Sequence, residues 1–227
     1  MEGLPEILFE DNHLLIVNKR AGDIVQGDKT GDQALVEILK SYLKDKYNKP
    51  GNVFLGLVHR IDRPVSGAVI FARTSKALTR MTNMVKNREL RKTYWAITEQ
   101  KPAATEGRLE DFLVKNEKQN KSYIVAPGTS GAKSAILEYR LLSASKTMFL
   151  LEIDLHTGRH HQIRAQLAGM GCFIRGDLKY GAKRSNPDGS ICLHARELQF
   201  KHPVSGETIN VKAPLPALKE WHIFETE

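Results

Sequence analysis

Two cysteines, Cys172 and Cys192, are all that the 227 residues contain, and they form no CxxC pair. That excludes a disulfide-built scaffold and a paired-thiol redox or zinc motif, and it predicts buried free thiols in a reducing cytoplasm. No apolar run approaches the ~20 residues that span a bilayer, so no membrane segment is expected. The first residues lack a basic stretch followed by an apolar one, and no secretory signal is expected either. Internal repeats, low-complexity tracts and linkers are all missing. One domain over residues 1–227 is the expectation.

What is present is an ordinary globular composition carrying surplus positive charge. Hydrophobic residues make up 41% and charged residues 26%, which suits a packed core. The formal net charge is +8, and an excess of that size fits a polyanionic partner. Its distribution is more telling. Residues 59–95 hold nine Lys and Arg against two acids, and residues 156–202 hold eight against three. Both segments also hold the chemical motifs below, which favours a surface that tracks phosphates over two solvated helix faces.

The hydrophobic pattern is rich in short strands. Leu14, Leu15, Ile16 and Val17 form one strand-like run, and residues 22–31 read as loop. Asp32 is placed to cap a helix from Gln33 to about Tyr47, with Leu35, Ile38, Leu39 and Tyr42 at helical spacing. Residues 53–58 and 67–72 read as strands, and a basic amphipathic helix starts at Thr74 or Ser75. Alternation predicts antiparallel strands at 92–98, 107–114, 121–125, 135–142 and 148–155. Thr157-Gly158 breaks the last of these, and a helix from about His160 to Met170 ends at Gly171. Two more strands are read near 197–201 and 208–212. Strands in runs with few helices predict an α+β fold on a large mixed or antiparallel sheet.

Three segments could carry chemistry. In His59-Arg60-Ile61-Asp62-Arg63 a carboxylate stands between two guanidinium groups, in a loop between strands. Nearby positive charge favours the ionised form, so Asp62 suits a nucleophile or base rather than a proton donor. The competing reading is an Asp–Arg pair that merely fixes a turn. A kinase-like reading of the same letters fails, because no Gly-rich phosphate loop or DFG element accompanies them. In the segment Thr157 to Arg164, a helix start beside Arg159 offers backbone N–H groups to an anion. His161 and Arg164 are three apart and share a helix face, so Arg164 could reach inward to a carboxylate. His156, His160 and His161 lie close together, but zinc sites show regular ligand pairs and the intervening residues are Arg-rich; no metal site is expected. In Lys92-Thr93-Tyr94-Trp95 the two rings point to opposite faces of a strand, so one can fill the core while the other stacks on an unpaired base. The stretches around Gly176-Asp177, Tyr180-Gly181, His194 and His202-Pro203 read only as turns and short strands.

Taken together and in order, LLIVNK, HRIDR with SGAVIFARTSKA, KTYWA, TGRHHQIR, GDLKYG, LHA and F-x-HP followed by SGE and AP resemble the RluA-type family of RNA pseudouridine synthases across nearly the whole chain. The resemblance implies an α+β fold with a mixed, mostly antiparallel sheet and a central RNA-binding cleft. It implies a cytoplasmic monomer that needs no cofactor or metal and whose partner is ribosomal or transfer RNA. On that likeness Asp62 is the catalytic residue, and Arg60 helps fill the stack vacated by the flipped nucleotide. Tyr94 stacks on the target uracil and is a candidate for the late proton abstraction. Arg164 pairs with Asp62, and Ile163 packs against the base. His59, Arg63, Arg159 and His161 complete the expected substrate-binding set. LLIVNK starts within fifteen residues of Met1, so the accessory N-terminal domain of some relatives is not expected. Arg20 stands where the family usually has Pro, Gln26 and Gln166 where His is common, Pro64-Val65 where Thr is usual, and Arg175 precedes Gly176-Asp177. These departures bear on substrate choice and spare Asp62, Tyr94 and Arg164. The rival reading is a non-catalytic RNA-binding protein on the same scaffold, which has no need of a charged Asp facing a polyanion.

Overall fold

A computed structural model of the chain describes residues 3–27 and 31–224; part of the loop read at 22–31 lies outside them. In chain order the first elements are β1 (Glu6–Glu10), β2 (Leu14–Lys19), α1 (Leu35–Lys46), β3 (Gly56–Leu57), β4 (Ser66–Ala72) and α2 (Ser75–Asn87). Then come β5 (Arg91–Thr98), β6 (Glu106–Asn116), β7 (Lys121–Val125), β8 (Lys133–Ala144) and β9 (Phe149–Leu155). The last are α3 (Gln162–Gly169), a 3-10 turn (Leu178–Tyr180), β10 (Leu193–Lys201), β11 (Thr208–Lys212) and α4 (Lys219–His222). Many strands with few helices make this an α+β fold on mixed, mainly antiparallel sheet. Two compact units emerge, Met1–Leu90 with Ala195–Pro214 and Arg91–His194 with Leu215–Glu227.

In the first unit β2 lies between β1 and β4, antiparallel to both, and β10 follows β4 and carries β11. Leu14, Ile16, Ala68, Ile70 and Ala72 point to one face and share a core with Ala77 and Met81 of α2. The alternate set, Leu15, Val17, Val69 and Phe71, is equally inaccessible. A sheet covered on both sides needs apolar residues at successive positions, which explains the unbroken Leu-Leu-Ile-Val run. Helix α2 begins as expected, with the Thr74 hydroxyl accepting from the Ala77 amide at 3.1 Å. Helix α1 begins differently. Asp32 pairs with Arg63 at 2.7 Å, and the first helical amides of Leu35 and Val36 donate to the carbonyls of Ile24 and Val25 instead. The strand expected at 53–58 is only the Gly56–Leu57 pairing on β4.

At Gly67, where the loop before it runs into β4, φ is +116°, and an added Cβ would lie 2.4 Å from the Ala195 carbonyl oxygen of β10. Only glycine lets these two backbones meet.

The second unit is an antiparallel meander ordered β5, β9, β8, β6, β7. Leu113 and Ala135 of the sheet share a core with Ala165 of α3 and with Tyr180. The opposite face stays open. It presents Arg91, Arg108 and Arg140 to Asp154, Glu138 and Glu152 in exposed ion pairs, around a shallow hollow of about 480 Å³. Cys172 and Cys192 are buried free thiols, as their spacing predicts. The short α4, which the sequence reading missed, is held by Glu220 on Arg175 at 3.2 Å and by the buried Trp221.

Candidate active site

The loop between β3 and β4 carries His59 to Arg63. Ile61 turns inward and is buried, whereas Arg60 and Arg63 are exposed and Asp62 is half-buried. That alternation follows from one apolar residue among four polar ones. The His59 ring is fixed on β4, its Nε2 accepting from the Ile70 amide at 3.3 Å. The Val65 amide donates to the Asp62 carbonyl at 3.0 Å and closes a tight turn. Arg63 contributes its backbone to the scaffold, taking the Gly22 amide at 2.8 Å, while its side chain meets Asp32.

Beneath this turn lies a cation that the motif reading did not single out. Lys19 ends β2 fully inaccessible, and its Nζ donates to the carbonyls of Arg20 (2.8 Å), Arg63 (3.1 Å) and Val65 (2.8 Å). An ammonium has three N–H donors, and each finds an acceptor. Lys19 thereby ties Arg63 and Val65, one and three residues after Asp62, into the sheet. Burial pushes its pKa down to about 8, against the attraction of Asp23 and Asp62. The signal was present in the sequence, since Leu15, Val17 and Lys19 share one face of a strand whose apolar members are buried.

In the second unit β5 sets its two rings on opposite faces. Tyr94 is buried, 6% exposed, and Trp95 is half-buried, donating from Nε1 to Glu152 at 3.5 Å on the open face. Downstream, β9 ends and α3 begins two residues later than read. Gln162 explains the difference. Its Oε1 accepts from the Arg159 amide (3.0 Å) and the Thr157 hydroxyl (2.7 Å), so this side chain caps the turn. The Arg159 amide is therefore used internally, and the exposed Arg159 side chain donates from Nε to the Ser134 carbonyl at 2.9 Å. The departure residue Gln166 is buried and donates to Asp111 at 2.7 Å while accepting from Gln162.

The three histidines that invited a metal reading do not converge. His156 faces Glu138 at 3.4 Å. His160 lies between Ser122 and Asn120, and His161 bonds through Nδ1 to the Tyr180 hydroxyl at 3.1 Å. No group of three or more His, Cys, Asp or Glu among the described residues is placed to hold a metal ion. His161 adopts a left-handed φ of 52° and stacks on His160 with ring centroids 3.8 Å apart. Burial, then the charge of Arg164, pushes its pKa down to about 2, so the ring is neutral and offers no charge to a phosphate.

Ile163 and Arg164 follow on α3, both about 5% exposed. The Arg164 guanidinium donates from Nε and Nη2 to the two oxygens of Asp177, at 2.7 and 2.8 Å. Its Cζ lies 5.1 Å from the centre of the Tyr180 ring. Asp177 and Tyr180 come from the GDLKYG stretch, which spacing alone showed only as a turn.

A family model described as RNA pseudouridylate synthase matches residues 13–169, from β2 through α3. The chain belongs to this family of RNA pseudouridine synthases. Among its relatives, ribosomal large subunit pseudouridine synthase C of Rickettsia prowazekii is 34% identical over 212 residues, 92% of this chain and 68% of the relative. Synthase D of Zymomonas mobilis is 32% identical over 222 residues, 93% of this chain and 69% of the relative. An uncharacterized RNA pseudouridine synthase of Synechocystis is 34% identical over 216 residues, and this chain spans 66% of its length. Among solved structures, human RNA pseudouridylate synthase domain containing 4 superposes with a TM-score of 0.80 at 25% identity, over 93% of this chain and 89% of that one. The relatives named C and D confirm the RluA-type reading. Pseudouridine synthases are isomerases that convert uridine to pseudouridine within RNA, so this is a family of enzymes that change connectivity without net redox or group transfer. The matched segment contains the loop of Asp62, the strand of Tyr94 and the helix of Arg164, and it stops short of Asp177 and Tyr180.

Proposed function

We propose that this chain converts a uridine of large-subunit ribosomal RNA to pseudouridine, with Asp62 as the catalytic carboxylate. The observation that carries this is the built loop around Asp62: a half-buried carboxylate on a turn whose following carbonyls are tied to a fully buried Lys19. A turn needed only for chain reversal has no use for a buried cation beneath it. The substrate class rests on the relatives named as large-subunit synthases; transfer RNA is the competing substrate.

In the reaction the glycosidic bond from the ring nitrogen breaks, the uracil turns, and a bond to ring carbon 5 forms before the carbon-5 proton leaves. The chemistry asks for an ionised carboxylate, a clamp for the detached base and a group that takes that proton. Asp62 is assigned the first role, with Arg164 as the charge that keeps it ionised. Tyr94 and Ile163 hold the uracil, and Tyr94 is assigned the proton. The target must leave its stack, which costs a few kcal/mol in a duplex and less in a loop; Arg60 offsets that by filling the gap. Arg63 and Arg159, both exposed, are assigned to phosphates, and His59 and His161 support the segments that carry the reacting groups. The chain is assigned to act as a monomer in the cytoplasm. No helix among the described residues is long and apolar enough to cross a membrane.

The test uses RNA from cells lacking the gene, labelled with tritium at uracil carbon 5, because product formation releases that label. Asp62→Asn is expected to bind RNA like the wild type and release no tritium. Tritium release at the wild-type rate would remove Asp62 from its role. Mapping of the product then distinguishes ribosomal from transfer RNA.

A further inference from the structure

The GDLKYG segment lies beyond the stretch matched by the family model, yet it supplies two groups that hold the Arg164 side chain. Asp177 is 1% exposed and Arg164 5%. Their two parallel N–H···O bonds, 2.7 and 2.8 Å long, fix the plane of the guanidinium as well as its position. Two of its three nitrogens are committed to this fork, so the direction in which the third donates is also set. Tyr180 lays its ring against the same group at 5.1 Å, a distance at which a cation is drawn to an aromatic face.

The segment is built to deliver these two side chains together. A single 3-10 turn separates them, with the Tyr180 and Ala182 amides both donating to the Asp177 carbonyl at 3.1 Å. Glycines bound the turn at positive φ, +86° at Gly176 and +112° at Gly181, and a Cβ at either would lie within 2.8 Å of a neighbour. The Tyr180 ring is anchored in turn, its hydroxyl accepting from the Ser122 amide at 2.8 Å. If burial of an arginine were the only purpose, an apolar side chain on α3 would serve as well.

We propose that Asp177 and Tyr180 are positioning residues, which orient the Arg164 guanidinium for the isomerisation without touching the RNA. The inference rests on the role proposed above for Arg164. Its test is a double-mutant cycle on the full chain, with Arg164→Lys, Asp177→Asn and their combination. The readouts are the single-turnover rate of tritium release from the carbon-5-labelled RNA and the enzyme concentration that gives half of it. Lysine keeps the charge but cannot form the fork. Each single variant is expected to slow the chemical step by about ten-fold or more, with half-saturation changed less than about three-fold. The double variant is expected to match Arg164→Lys alone, because Asp177 acts only through that side chain. Losses that multiply, or an Asp177→Asn enzyme of wild-type rate beside a slow Arg164→Lys, overturn the positioning role. An Arg164→Lys enzyme of wild-type rate instead overturns the assignment of Arg164 itself. Should Asp177→Asn not fold, the comparison passes to Tyr180. Tyr180→Phe keeps the ring and is expected to react at least about five-fold faster than Tyr180→Leu; equal rates overturn the proposal.

Discussion

Lys19 in the first unit and Arg164 in the second are both buried cations beside residues assigned to the chemistry, but their partners differ in kind. Lys19 gives its three protons to neutral carbonyl oxygens, whereas Arg164 gives two of its protons to a carboxylate. Carbonyls satisfy hydrogen bonds without cancelling charge, so burial outweighs the attraction of Asp23 and Asp62 and the Lys19 pKa falls to about 8. Asp177 cancels charge and fixes a plane. The first arrangement ties down backbone and keeps a titratable proton near working pH; the second holds a permanent cation in one orientation.

The sharpest way to break this contrast is to remove the cation from the carbonyl cradle. Lys19→Met leaves three carbonyls without their donor, at roughly 1–3 kcal/mol each when nothing replaces it. We expect a loss of about 3 kcal/mol or more in chemical denaturation, together with faster amide exchange at Val65. A loss below about 1 kcal/mol would show that the cradle does not hold the turn. The pH dependence follows with a definite sign. Lys19 releases its proton near pH 8 when folded and near 10.5 when unfolded. Between those values the unfolded chain holds the extra proton, so wild-type stability rises with pH across the window. The gap between wild type and Lys19→Met is expected to widen from pH 8 to 10.5 by about 3 kcal/mol. A constant gap would place the proton elsewhere.

The same contrast explains what the sequence disclosed. Strands whose faces are both covered, such as β2 and β4, announce themselves by continuous apolar runs, and the meander β5 to β9 by alternation. Its charged face is open, so the period stays clean. Residues 53–58 misled because Val53, Leu55 and Leu57 alternate like a strand although only Gly56–Leu57 pairs with β4. Asp32 misled because a cap requires its carboxylate to turn back on the helix, and Arg63, 31 residues on, offered a salt bridge instead. The motif residues of the site were legible as chemistry, but their supports were not. Asp177 and Lys19 act through partners distant in the chain, and no local period or spacing records a hydrogen bond across 13 or 46 residues.

A smaller effect separates the charge of the second unit from its geometry. His161 is neutral when folded, because burial pushes its pKa from the usual 6.5 down to about 2. Its contribution to stability is complete above pH 6.5 and is lost as pH falls below that value. The unfolded chain then takes up a proton that the buried ring refuses. His161→Asn is expected to remove about 1.4 kcal/mol per pH unit from the acid slope of stability below pH 6. An unchanged slope would mean that the ring is protonated in the folded chain despite Arg164 beside it.

The smallest expected effect on folding belongs to the Arg63 side chain, and it bears directly on how the first unit divides its labour. The Arg63–Asp32 pair is about half-exposed on both sides, and pairs of that kind are worth about 0–1 kcal/mol. The backbone of Arg63 is what Lys19 and Gly22 hold, and truncation of the side chain leaves those bonds in place. Arg63→Ala should therefore unfold within about 0.5 kcal/mol of wild type. If the side chain meets a phosphate, RNA affinity should still fall, and the slope of log affinity against log salt should drop by about one. A weakened enzyme with an unchanged salt slope would assign Arg63 to the loop rather than to the RNA, because releasing a counterion requires a charge in contact with the polyanion.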